Sequence, residues 1–246
     1  MRLDRVTITG ADNSTNPVDL FNLSEKYPFV EWGILASAGS GGQPRYPGMG
    51  WVQALQMQVR NFYRLPQEQP RMCLHLCGRW VRDLLVGNVS VPSWMFDEFD
   101  RVQLNFHAER NHCQPVDFRS ALEGIGGERQ YIFQLDGVLG NKHMMSLLAV
   151  NNAAKPLDLA PLYDISGGAG ILPPSWPKPI PNLYMGYAGG LGPDNLEEQI
   201  PKIAEAAGDA RFWIDMETRV RSANDRIFDL KKVERCLEIA AGYIAK

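Results

Sequence analysis

The 246-residue chain has few cysteines, no long apolar run and no marked excess of either charge, and each shortage removes a class of protein. Its four cysteines, Cys73, Cys77, Cys113 and Cys236, are too scattered for a zinc knuckle or a disulfide framework, so they are expected as reduced thiols. No stretch approaches the roughly 18 consecutive apolar residues that mark a membrane span. The opening segment, Met1 to Asp12, runs into a strand-like pattern with neither a basic leader nor an apolar signal core, and a soluble cytoplasmic protein is expected. A net charge of -3 leaves no global basic field, so neither nucleic acid nor a membrane surface is an expected partner. A small ligand fits the composition better. The dinucleotide fingerprint G-x-G-x-x-G is also missing: the first strand runs out through Thr9-Gly10-Ala11-Asp12.

What is present is a regular alternation. Short β-rich runs occur at Arg5–Gly10, Glu31–Ser37, Met72–Gly78, Arg101–His107, Gln130–Gly137, Leu159–Ile165, Leu183–Ala188 and Arg211–Glu217. Segments of helical period follow most of them, at Pro17–Tyr27, Trp51–Arg64, Trp80–Leu85, Pro115–Leu122, Lys142–Asn151, Pro193–Ala207 and Leu230–Ala245. The connection after the sixth run holds five prolines and is expected to be irregular. Alternating βα order implies parallel strands with right-handed crossovers. Eight such units in a chain near the roughly 250 residues of a closed barrel predict an α/β fold, a single (β/α)8 TIM barrel spanning residues 1–246.

Alternate side chains of a strand face opposite ways, so the polar members of each run can be assigned to the barrel interior. Val6 and Ile8 facing the helices send Thr7 and Thr9 inward. The same logic sends His75 and Cys77, Gln103 and Asn105, Gln134 and Asp136, and Asp215 and Glu217 inward, with Asp164 ending the sixth strand. So many polar groups are costly in a dry core, which argues for a solvent-reached pocket at the C-terminal strand ends.

The strongest local motif is Gly186-Tyr187-Ala188-Gly189-Gly190-Leu191-Gly192-Pro193-Asp194-Asn195, a glycine-rich turn leading into a helix. Backbone N–H groups of Gly189 and Gly190 can approach an anion closely, and a helix start at Pro193 adds positive potential, so phosphate is the expected guest. Arg219 and Arg221, after the eighth strand, supply cations beside it. A second glycine-rich stretch, Ser166-Gly167-Gly168-Ala169-Gly170, reads as a lid hinge or further anion-facing amides. Arg45, in the loop after the second strand, is placed to clamp a carboxylate.

Over nearly its whole length the chain resembles phosphoribosylanthranilate isomerase. The resemblance rests on Pro44-Arg45-Tyr46, Val102-Gln103-Leu104-Asn105, Asp164 with Gly167-Gly168-Ala169-Gly170, the run Ala188 to Asn195, and Asp215. It implies an Amadori-type isomerisation without metal or redox cofactor. In that family the aspartate matching Asp164 is the general acid, and the one matching Asp215 lies near the substrate amine. The arginine matching Arg45 contacts the anthranilate carboxylate, and the glycines matching Gly189 and Gly190 hold phosphate. This chain departs where the family places its cysteine base, which here is Thr9 in Thr7-Ile8-Thr9-Gly10, and in the loop after strand eight, Glu217-Thr218-Arg219. Asp136, Glu217 or His75 is then left to act as base. The readings that remain are an isomerase of a phosphorylated sugar or nucleotide-like ligand, a protein that only binds such a ligand, and a scaffold using its proline-rich segment. Gly167, Gly168, Gly170, Gln103, Asn105, Arg219 and Glu217 complete the expected ligand set, in a monomer or homodimer.

Overall fold

The computed structural model describes residues 2–63, 69–105, 115–126, 128–135, 157–167 and 169–245, the side chains of 115–118 excepted. Eight parallel strands close into a barrel in sequence order. They are β1 (Leu3–Thr9), β2 (Val30–Ser37), β3 (Arg71–Cys77), β4 (Arg101–Asn105), β5 (Gln130–Leu135), β6 (Asp158–Tyr163), β7 (Met185–Ala188) and β8 (Phe212–Met216). Closure comes from β1 pairing with β8, Thr7 opposite Asp215. The fold is the expected single (β/α)8 barrel.

Around it lie α1 (Pro17–Lys26), α2 (Met49–Phe62), α3 (Arg79–Leu85), α4 (Pro115–Ile125), α5 (Leu196–Ala207) and α6 (Leu230–Ala241). A two-stranded hairpin, β9 (Arg221–Ser222) with β10 (Ile227–Phe228), follows β8. Their starts have local causes. Asn16 accepts a hydrogen bond from the Val18 N–H with Pro17 at the first helical position, and Asp229 accepts from the N–H groups of Lys231 and Lys232. In α6 the buried residues Val233, Cys236, Leu237 and Ala240 fall at helical spacing, which turns one stripe onto the barrel.

One expectation is corrected. The helix after β7 begins at Leu196, not Pro193, because Asn195 folds back on the preceding turn; Pro193 and Asp194 belong to that turn. Strands four and five are described as far as Asn105 and Leu135; His107, Asp136, Cys113, Gly168 and the helix expected at Lys142–Asn151 lie outside the described residues. Residues 169–182 carry no helix, as their prolines dictate. Trp176 anchors them, edge-on to Tyr163 and Tyr187 and donating to Gln199.

The strand residues facing the helices, among them Val6, Ile34, Leu74, Leu104 and Ile214, form the main core. A smaller apolar plug fills the barrel itself: Cys73, Ile132, Ala160, Leu162, Ala188 and Trp213. Trp213 fits only because β7 has Gly186 beside it, where a Cβ would lie 2.2 Å from the indole. Polar side chains stand above this plug, at the C-terminal ends, and below it.

Candidate functional site

Above the plug the C-terminal mouth opens into a cavity of about 490 Å³. Of the residues expected there, Arg45, Gln103, Asn105, Asp164, Gly167, Gly170, Gly189, Gly190, Asp215, Glu217 and Arg219 all line it. Gln134, Cys77 and Tyr46 join them. Thr9 and His75 do not reach the cavity. Both are buried beneath it, in space made by Gly33, where a Cβ would lie 2.1 Å from the Thr9 hydroxyl and 2.9 Å from His75 Nε2.

Three carboxylates dominate the mouth, and their surroundings differ. Asp215 is buried, takes a hydrogen bond of 3.0 Å from the Thr9 hydroxyl, and is pushed up to about 8 by desolvation and by Glu217 and Asp164. At neutral pH this group keeps its proton. Asp164 is equally buried but well supplied with donors: Gln134 Nε2 at 2.7 Å, the Ser166 N–H at 3.0 Å and the Ser166 hydroxyl at 2.6 Å. Both of its oxygens therefore act as acceptors. Glu217 is raised by desolvation and by Asp164 and Asp225, against the pull of Arg45.

Arg45 reaches the rim as expected, but its guanidinium is already engaged by two carboxylates. It pairs with Glu217 and donates from Nε to Asp225 at 2.8 Å, while its backbone N–H donates to Asp12 at 3.0 Å. Arg221, expected beside a phosphate, is instead fully buried, donating to the Gly10 carbonyl, to Asp12 at 2.8 Å and to the Asp225 carbonyl. These groups clasp together the loops after β1, β2 and β8. The sequence gives this clasp no local signal, since its members lie up to 213 positions apart in the chain, from Asp12 to Asp225.

On the opposite rim three loops converge. A Cβ on Gly190 would lie 2.5 Å from the Leu172 N, one on Gly189 3.0 Å from the Ile171 carbonyl, and one on Gly192 2.5 Å from Arg219 Cβ. Gly189 and Gly190 also carry φ of 118° and 61°, values that side chains seldom adopt. Asn195 braces the turn, accepting from the Gly192 N–H at 3.0 Å and donating to the Gly190 carbonyl at 2.8 Å. The glycines therefore answer a close approach of backbone to backbone, and Gly189 and Gly190 line the cavity.

His75 is neutral, its imidazole pulled down to about 3 by burial. Burial pushes the Cys77 thiol up to about 12, so it holds its proton although Asn105 donates to its sulfur at 3.4 Å. Cys73, Cys77 and Cys236 are free thiols. Among the described residues no group of three or more His, Cys, Asp or Glu is placed to hold a metal, and no helix is long and apolar enough to cross a membrane.

No protein-family model and no curated protein matches the chain in sequence. Solved structures do match in fold. N-(5'-phosphoribosyl)anthranilate isomerase from Pyrococcus furiosus superposes with a TM-score of 0.53 at 13% identity, over 97% of this chain and 98% of that one. A putative spore coat polysaccharide biosynthesis protein E from Chromobacterium violaceum ATCC 12472 gives a TM-score of 0.55 at 10% identity, over 97% of this chain and 74% of that one. At such identities the likeness is one of fold.

Proposed function

We propose that the protein is an isomerase of a phosphorylated sugar or nucleotide-like ligand, working by aldose–ketose chemistry of the Amadori type. The observation that carries this reading is a buried proton-bearing carboxyl, Asp215, sharing one cavity with a buried acceptor carboxylate, Asp164. Aldose–ketose isomerisation needs one of each. Asp215 gives its proton to the ring oxygen of a glycosylamine, and the ring opens to the iminium. Asp164 takes the proton from C2, and the resulting enolamine tautomerises to the aminoketose. This division reverses the one implied by the family resemblance, in which the residue matching Asp164 is the acid. Thr9 serves as a positioning residue, its hydroxyl holding Asp215 rather than acting as base.

The glycine rim of Gly189 and Gly190, with the exposed Arg219, is the subsite for the ligand's phosphate. The superposed isomerase is named for a phosphoribosyl substrate, which supports that class of ligand. With Arg45 committed to Glu217 and Asp225, a ligand carboxylate has to displace an existing pair. The preferred ligand therefore lacks the anthranilate carboxylate.

The test is turnover of phosphorylated ribosylamines and aldoses, followed by NMR of the product ketose. Isomerisation that disappears in both Asp164→Asn and Asp215→Asn, with phosphate affinity kept, is the expected outcome. Tight binding without any product in the wild-type chain rejects the enzyme and leaves a sensor or carrier, a reading that the absence of a thiol at Thr9 favours.

A further inference from the structure

The opposite end of the barrel holds charge that the proposed chemistry does not use. Below the plug, two arginines share one acid: Arg5 Nη1 donates to Glu31 Oε1 at 2.6 Å, and Arg101 Nη1 donates to Glu31 Oε2 at 2.8 Å. Glu31 and Arg101 are 1% and 3% exposed. Thr7 adds a hydrogen bond of 2.8 Å to the same carboxylate. Two guanidinium groups thus face one carboxylate in this layer, and the further acids that act on Arg5, Asp4 and Asp100, do so from the rim.

Arg101 is held rigidly. Its guanidinium lies 4.2 Å from the Trp213 ring and 5.7 Å from that of Tyr184, and Nε donates to Gln130 at 2.9 Å. The remaining edge, Nη2, has no partner among the described residues. Nor do two other buried guanidinium donors at this end, Arg5 Nε and Arg129 Nε. All three arginines line one cavity at the N-terminal mouth, about 1490 Å³ in volume. Asp4 takes Arg211 and the Tyr184 hydroxyl and Asp158 takes Gln130, while Asp4 also acts on Arg5, and Asp100 on Arg5 and Arg129, through space. Asp100, Glu123, Glu128 and Asp209 also line this mouth, so its outer rim is mixed in charge and the excess is confined to the buried layer.

We infer that the N-terminal mouth is a second binding site, one that takes a phosphate group against Arg101, Arg5 and Arg129. A neutral donor or acceptor can fill a hydrogen-bonding position but leaves the second guanidinium charge balanced only from the rim. A phosphate does both, and its tetrahedral oxygens accept from guanidinium groups arriving on different strands. The site is separate from the glycine rim, on the other side of the apolar plug, and stands whether or not that rim binds phosphate.

The experiment is a titration of the full-length, 15N-labelled chain, reading the arginine Nε–Hε NMR signals, with inorganic phosphate and separately with glycerol 1-phosphate. Saturating shifts at Arg5, Arg101 and Arg129 with either probe are expected, and the tighter of the two tells a free ion from an ester. Arg129→Gln should weaken that saturation about tenfold, the loss of one charged hydrogen bond. The Gly189 and Gly190 amides should keep their own response in this variant. Should Arg129→Gln fold poorly, Arg71→Gln, exposed at the same mouth, gives a smaller weakening of the same signals. Arginine signals that stay still, or that drift linearly without saturating as with an adventitious ion only, overturn the inference.

Discussion

Replacing Asp215 by asparagine keeps the shape of a buried side chain and the hydrogen bond from Thr9, and removes one ionisation. In the folded protein the carboxyl is raised to about 8 by desolvation, Glu217 and Asp164. In the unfolded chain it titrates near 3.9. Between those values the folded state holds a proton that the unfolded state releases, so the group's contribution to stability is intact below about pH 4 and is lost as pH rises through about 8. The loss is about 1.4 kcal/mol per pH unit, or roughly 4 kcal/mol from pH 5 to pH 8, less wherever Glu217 protonates in its place. The Asn variant lacks this dependence. It should match the wild type to within about 1 kcal/mol at pH 5 and exceed it by a few kcal/mol at pH 9. Urea unfolding at pH 5, 7 and 9 reads this as a pH-dependent gap in midpoints at constant slope. Two curves that run parallel across that range would show that Asp215 titrates as an ordinary carboxyl, and the proton donor of the proposed reaction would be lost with it.

Other outcomes follow from the same geometry. Arg221→Gln leaves Asp12 without its buried partner and should cost about 3–5 kcal/mol in chemical denaturation; a loss under about 1 kcal/mol means the clasp is not what joins the loops. Gly186→Ala drives a methyl into Trp213 and should cost more than about 3 kcal/mol or prevent folding, and a well-folded variant with unchanged near-UV circular dichroism refutes the packing described for the plug. Gly190→Ala combines a φ of 61° with a contact of 2.5 Å to Leu172. It should lose about 1–3 kcal/mol of stability and at least tenfold in phosphate affinity by calorimetry, and normal affinity removes the glycine rim as the phosphate subsite.

Much of the barrel is legible in the sequence because its signals are local. Alternation in runs such as Arg71–Cys77 distinguishes Leu74 and Leu76, which face the helices, from His75 and Cys77, which face inward. The polar residue at each strand's last inward position then falls at one mouth by topology alone, which is how Gln103, Asn105, Asp164 and Asp215 could be grouped across 112 positions. The same reasoning overreached wherever a side chain's partner comes from elsewhere in the chain. Arg45 and Arg221 read as free cations for a ligand, yet both are bound to carboxylates of distant loops. Glu31, Arg5 and Arg101 carried no motif at all, and become a unit only because neighbouring strands bring them to one level of the barrel.

The order of elements, the closed parallel sheet, and which face of each strand turns inward are set by periodicity and by the chirality of the chain, so the linear sequence was enough to determine them. Protonation states and pairings were decided only by tertiary structure. Whether Asp215 keeps its proton depends on the Glu217 and Asp164 charges and on the water that burial removes, and these act through space over distances that chain separation does not encode.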